Sequence, residues 1–242
     1  GVEPWDDLSE NQQRLACRLQ ETFAAFLDHT DDQIGRFVDG LQAMGELDNT
    51  ILVLLADNGA SQEGGASGTM HEMKHFNGIK ESPDEAIKRI DDIGGPSSHT
   101  NYPWGWAQCG NSPFRWYKTL THEGGVHVPM IVHWPSGLGD TAGTKRDQFT
   151  YVSDIVPTIY EILGITPPVS YRGNDQLPVT GHSFVSVLGD VDAPATNTLQ
   201  YFEFAGNRAI IAERDGVWWK AVTRHQPGAD FDTEPWELFD LT

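Results

Sequence analysis

Cysteine is scarce in this chain of 242 residues: there are two, Cys17 and Cys109. They lie far apart and form no disulfide framework, so the fold must rest on its core rather than on cross-links. A reduced compartment such as the cytoplasm fits that usage, a single bridge stays open, and localisation is otherwise unfixed. Long apolar runs are missing too. The longest, Ile51–Ala56, is far below membrane length, so no membrane partner is expected. Positive charge is in short supply: 16 Lys and Arg face 35 Asp and Glu, a net charge of −19. Such an acid excess argues against nucleic acid as a partner. It suits metal binding in general, although solubility explains it equally well. The start shows no signal-peptide pattern, which a truncated chain would have lost. There is no internal repeat and no low-complexity tract. The length allows a sizeable core, in one large or two small domains.

What is present begins at Thr50-Ile51-Leu52-Val53-Leu54-Leu55-Ala56-Asp57-Asn58-Gly59. An apolar run ending in Asp-Asn-Gly reads as a strand buried on both faces, as in parallel sheets. Ligands of open α/β sheets sit beyond the carboxyl ends of strands. Asp57 and Asn58 stand there with hard oxygen donors, suited to a calcium-like or magnesium-like ion. The bland alternative is a strand followed by an ordinary Asn-Gly turn.

The second feature is Lys118-Thr-Leu-Thr-His122-Glu123-Gly124-Gly125, followed by a strand over 126–134 that Trp134-Pro135 closes. Lys118 offers a compact positive charge to an anion, and His122 a proton or hydrogen bond. Gly124 and Gly125 permit close backbone approach. His127 and His133 read as packing residues of the strand.

Residues 8–45 are helical in pattern, with Asp31 as cap of a second stretch and Gly45 as its end. Residues 60–114 form a long aperiodic excursion with one helix at 83–91. A helix follows at 153–163, with Ser153 as cap and Gly164 as stop. Pro167-Pro168 marks a boundary. Beyond it, three short alternating segments near 199–204, 208–213 and 217–222 are separated by turn signals at Gly206-Asn207 and Asp215-Gly216. They predict a small antiparallel sheet.

Two rival motifs need weighing. His71-Glu72-Met73-Lys74-His75 is a literal H-E-x-x-H and keeps a zinc metalloprotease as a distant alternative. Its Gly-rich flanks and undefined third ligand favour a loop pair of histidines. Tyr102, Trp104, Trp106, Trp116 and Tyr117 crowd the approach to Lys118. They read equally as an aryl-binding mouth or as a small core clasping a loop.

The ordered set of segments resembles the second half of a type I sulfatase (arylsulfatase) of the alkaline phosphatase superfamily. The match is carried by the stretch ending Asp57-Asn58-Gly59 and by Lys118 to Trp134-Pro135. Asp31–Phe37, Asp154-Ile-Val-Pro157-Thr158 and Gly181-His-Ser183-Phe184 support it. The family's nucleophile is a formylglycine made in a C-x-P-x-R or S-x-P-x-R motif. Here Cys17 precedes Arg18-Leu19 and Cys109 precedes Gly110-Asn111, and the family's paired N-terminal aspartates are absent.

The resemblance implies an α/β fold: part of an alkaline-phosphatase-like sandwich, with buried, mostly parallel strands and flanking helices, plus a small C-terminal antiparallel-sheet α+β subdomain. Residues 1–168 would be the remainder of the catalytic domain and 169–242 the start of the C-terminal subdomain. It further implies a C-terminal fragment of a sulfuric ester hydrolase. Asp57 and Asn58 would hold a divalent cation, calcium by family habit. Lys118 would clamp a sulfate oxygen, and His122 would bind sulfate or assist the leaving group. The formylglycine is expected in the missing N-terminal part, and the isolated chain is expected to be inactive. The substrate is a sulfate ester, aryl being one choice. Either the missing half or self-association would cover the exposed sheet. A phosphate or phosphonate ester hydrolase of the same superfamily and a non-catalytic metal- or ligand-binding module stay open as alternatives.

Overall fold

The fold is described from a computed structural model covering residues 2–242. A single helix, α1 (Glu10–Ala43), opens the chain. Ser9 caps it: its hydroxyl accepts from the Gln12 N–H while the Gln12 carboxamide accepts from the Ser9 N–H. Gly45, at φ 75°, follows the last turn and ends the helix as expected. Asp31 does not cap a second stretch; it lies inside the continuous helix, because nothing between Ala24 and Gln33 breaks the helical backbone. Only Leu15, Ala16 and Leu19 of α1 are buried, while Phe26 and Phe37 are exposed.

Strand β1 (Leu52–Leu55) ends at the Asp-Asn-Gly turn. The excursion after it is ordered. It contains the short helices α2 (Glu72–Phe76), α3 (Pro83–Ala86, continued as a 3-10 helix to Asp92) and α4 (Trp104–Gly110). Together with α1 it builds the main core: Leu15 and Leu19 meet Met70, Ile93, Tyr102 and Tyr117. Trp104, Trp106 and Trp116 pack against that cluster, so the aromatic group clasps the loop. The Trp106 indole N–H donates to the Ala16 carbonyl at 3.0 Å, tying excursion to helix.

Next come α5 (Glu123–Val126) and β2 (Met130–His133). β1 and β2 pair antiparallel, Leu52 opposite His133 and Leu55 opposite Met130. The α/β character stands, but the expectation of parallel strands buried on both faces does not hold for this pair. An apolar run reads the same in either orientation, and pairing decides it. Leu54 and Ile131 are 47% and 59% exposed, which removes the two-sided burial. His133 is exposed rather than packed, whereas His127, though also exposed, stacks its ring on Phe114 with centres 4.5 Å apart.

After α6 (Pro135–Leu138), helix α7 (Ile155–Leu163) begins beyond a 3-10 turn at Val152–Asp154 and ends at Gly164, φ 63°. Ser153 is not its cap. Asp154, 1% exposed, holds the cap position without a side-chain bond to the helix; its carboxylate accepts instead from the N–H groups of Tyr151 and His182, both at 2.8 Å. The Thr158 hydroxyl donates to the Asp154 carbonyl and accepts from the Phe184 N–H at 3.0 Å. The Asp154…Thr158 pair therefore anchors the Gly181–Phe184 segment to the start of α7.

The rest is a two-residue ladder, β3 (Ser170–Tyr171) with β4 (Asn174–Asp175), then α8 (Val185–Gly189) and an antiparallel sheet. The sheet runs β5 (Leu199–Phe204), β6 (Asn207–Arg214), β7 (Val217–Thr223) and β8 (Glu237–Asp240), in that order. Its first two hairpins turn on Ala205-Gly206 and Asp215-Gly216, with all four φ angles positive, the pattern of tight two-residue turns. The first turn sits one residue earlier than Gly206-Asn207, because Asn207 already pairs with Phe204. Cys17 and Cys109 are free and exposed. Among the described residues no helix is long and apolar enough to cross a membrane.

Replacing Asp154 by Ala leaves two N–H groups without their acceptor and should cost about 3 kcal/mol. Asp154→Asn should cost less, since its carbonyl oxygen still accepts one bond. Urea denaturation of both variants measures the difference, and equal stabilities would remove Asp154 from its anchoring role.

Candidate functional site

The turn after β1 and the turn before β2 touch backbone to backbone. The Gly59 N–H donates to the Gly125 carbonyl at 3.0 Å, and the Lys118 N–H to the Ala60 carbonyl at 3.0 Å. No side chain fits between them. A Cβ on Gly59 would lie 1.7 Å from the Gly124 oxygen, and one on Gly125 would lie 1.8 Å from the Leu120 oxygen. The glycines of both motifs are thus required by close approach.

Asn111 locks the junction. Its carboxamide oxygen accepts from the Ala60 N–H at 3.0 Å, and its NH2 donates to the carbonyls of Trp116 at 2.9 Å and Gly124 at 2.8 Å. Sequence reading missed this residue. Its partners lie 5, 13 and 51 positions away with no repeating pattern, and a lone Asn before Ser-Pro carries no distinctive spacing.

The consequence is that Asp57, Asn58 and Lys118 line one open groove of about 1830 Å³ between β1–β2 and the C-terminal sheet. Asp57 is exposed and Asn58 half-buried. Lys118 is flanked by two non-glycine residues held at positive φ, Trp116 at 67° and Thr119 at 78°. Such backbone is disfavoured and persists only where the surroundings over-determine it. The Lys118 ammonium donates to Glu63 Oε1 at 2.9 Å. Burial raises the Glu63 carboxyl, but the hydrogen bonds from Lys118 and Ser61 outweigh that and hold it below the usual range.

His122 is placed differently. It is 3% exposed and is not among the groove-lining side chains. Its Nε2 lies 3.3 Å from Glu237 Oε1, and its Nδ1 has no partner among the described residues. Burial pushes the imidazole below the ordinary histidine range, against the opposing pull of Glu237.

Glu123 does line the groove, and it is held from behind. Lys220 of β7, 1% exposed, donates to Glu123 Oε1 at 2.6 Å, and His127 Nδ1 lies 2.6 Å from Oε2. Burial raises the Glu123 carboxyl. The hydrogen bond to His127 and the charge of Lys220 overcome this and bring it to about 2.

The H-E-x-x-H segment forms no such focus. His71 precedes the five-residue helix α2 while His75 lies within it. Glu72 turns to His99 at 3.3 Å and to Asn101 at 3.0 Å. Among the described residues no three His, Cys, Asp or Glu side chains converge as a metal site. Asp57 and Asn58 fit a hard divalent cation by donor type and by their place at the groove, as two ligands of a set needing several more.

A carboxyl depressed from 4.5 to about 2 stabilises the fold fully above about pH 4.5 and loses that contribution as pH falls towards 2. Between pH 5 and pH 3 the wild type should lose about 2 kcal/mol more than Glu123→Gln. Urea titrations at each pH measure this; parallel losses would dissolve the coupling.

These features can be set beside known proteins. The sulfatase family model matches residues 5–165. An uncharacterized sulfatase of Schizosaccharomyces pombe is 31% identical over 245 residues, covering 100% of this chain and 41% of its own length. An arylsulfatase of Klebsiella aerogenes is 30% identical over 185 residues, 76% of this chain and 38% of that protein. The N-acetylgalactosamine-6-sulfatase of Homo sapiens is 27% identical over 138 residues, 57% of this chain and 19% of that protein. The chain thus spans roughly two fifths of the length of the first two relatives. With two thirds of its residues matched by the family model and relatives aligned across its length, this chain belongs to the sulfatase family.

Proposed function

We propose that this chain is the C-terminal portion of a sulfuric ester hydrolase and supplies cation-holding and sulfate-contacting residues to an active site completed by the rest of that protein. The observation that carries this reading is the groove in which Asp57, Asn58 and Lys118 are brought together by the two glycine turns. The family membership and the arylsulfatase among the relatives support sulfate esters, aryl esters included, as the substrate class. The nucleophile, a formylglycine by family habit, would come from the part of the relatives' length that this chain does not span. The apolar faces left open at Leu54 and Ile131 suit coverage by that same part, or by a second copy in its absence.

Each side chain then has a definable task. Held by Asp57, Asn58 and ligands from elsewhere in the protein, a divalent cation, calcium by family habit, would offset charge on the sulfuryl oxygens. Lys118 donates to an equatorial sulfate oxygen. An ammonium has three donors, so it can keep its bond to Glu63 and still meet the anion. The Glu63 bond fixes the direction of a flexible side chain before substrate arrives, which reduces the ordering cost at binding. His122 serves from behind the groove, through Glu237 and the loop backbone, rather than by touching the leaving group.

In the full-length protein, p-nitrophenyl sulfate should be hydrolysed faster than p-nitrophenyl phosphate. Lys118→Ala should lower kcat/KM by about a hundredfold or more. The isolated 242-residue chain should show no turnover; turnover by that chain, or a phosphate preference, would sink the reading. For the isolated chain, calorimetry should give only weak calcium binding, since two ligands do not make a site. Tight binding abolished by Asp57→Ala would contradict a shared site.

A further inference from the structure

The loop from Arg115 to Val126 carries Lys118, and the C-terminal sheet grips it at several points. From β7, the buried Lys220 reaches Glu123 at 2.6 Å. From β8, Glu237 accepts from Arg115 Nη1 at 2.8 Å and lies 3.3 Å from His122 Nε2. At the head of β6, the Asn207 carboxamide donates to the Thr119 carbonyl at 3.2 Å. Just past β7, the Arg224 guanidinium sits 4.8 Å from the centre of the Trp116 ring. Two of these contacts fall on Trp116 and Thr119, the positions with positive φ on either side of Lys118.

The choice of groups is unusual for mere packing. A lysine that is 1% exposed is costly to desolvate, and a hydrophobic residue of similar volume would often serve stability as well or better. Its ammonium lies 5.6 Å from the Phe202 ring centre, and its charge is aimed at one carboxylate of the glycine turn. What such a pair adds is direction. It fixes Glu123, and with it the turn whose backbone abuts Gly59.

We propose that Lys220 and Glu237 are positioning residues for the anion site. Acting through Glu123, and through Arg115 and His122, they hold the Lys118 loop in its strained conformation, so the C-terminal sheet sets how well Lys118 meets a sulfuryl oxygen. The inference rests on the reading of Lys118 as the sulfate contact. Neither residue lines the groove.

The test combines exchange and kinetics in the full-length protein. Lys220→Met and Glu237→Gln should each speed amide hydrogen exchange in the 115–126 segment at least about tenfold while α1 is unchanged. Each should also lower kcat/KM for p-nitrophenyl sulfate about tenfold or more, and Lys220→Arg should restore part of it. In a Lys118→Ala background the same substitutions should cost less than about twofold, because the group they position is gone. An equal cost in both backgrounds, or unchanged exchange in 115–126, overturns the proposal. If Lys220→Met does not fold, Glu237→Gln and Lys220→Arg decide by the same criteria. If Lys118→Ala leaves activity intact, the reading of Lys118 is what has failed, and the exchange data still judge the hold of the sheet on the loop.

Discussion

The contact between Gly59 and the Gly124–Gly125 pair is the constraint on which the site depends. Two turns, one ending a strand and one preceding its partner, approach until a carbonyl oxygen occupies the place where a Cβ would be. At that distance the backbone positions of Asp57, Asn58 and Lys118 are fixed relative to one another, and the bond to Glu63 then directs the Lys118 side chain. Backbone held by the Gly59 and Lys118 N–H bonds and by the three bonds of Asn111 has little freedom left. That rigidity is what an electrostatic site requires, since misplacement by an ångström forfeits most of the interaction.

How much of this the sequence discloses follows from the range of each interaction. Short-range events are legible: Gly45 and Gly164 end their helices in left-handed backbone, and the Asp215-Gly216 hairpin turns where its residues say it must. The two motifs are legible because their residue types are chemically restricted. What is hidden is long-range. Lys220 meets Glu123 across 97 positions and His122 meets Glu237 across 115, with no local pattern at either end. The antiparallel sense of β1–β2 is likewise a pairing property. Apart from the helix at 83–91 the excursion shows no period, because its order comes from a shared core, with Tyr102 and Met70 in one cluster with Leu19. Strand β8, which delivers Glu237, follows β7 by a long connection through Pro227-Gly228 rather than by a two-residue turn, so its pairing is not signalled locally.

Burial explains the one site residue whose setting differs most from its expected role. His122 sits in a sequence position that suggests chemistry, yet its ring is enclosed and directed to Glu237. Desolvation lowers the pKa of such a ring below the ordinary histidine value, against the opposing pull of Glu237. An enclosed ring directed to Glu237 is suited to bracing a loop, whereas Lys118 lines the groove.

Net charge gives the last constraint. At −19, the chain repels an anionic substrate at long range, and screening limits that repulsion to about 8 Å at physiological ionic strength. Attraction must therefore be local. The cations nearest the loop are already engaged: Arg115 with Glu237, Lys118 with Glu63, Lys220 with Glu123, and Arg224 over Trp116. Of these, Lys118 alone lines the groove, and it is already pointed by its partner. On the proposed reading, recognition of a sulfuryl oxygen would depend on the oriented Lys118 ammonium, with Lys145 and Arg146 also lining the groove, and on whatever cation Asp57 and Asn58 would help to hold. On that reading the geometry of the loop, more than the number of positive charges, would determine how well Lys118 meets an anion.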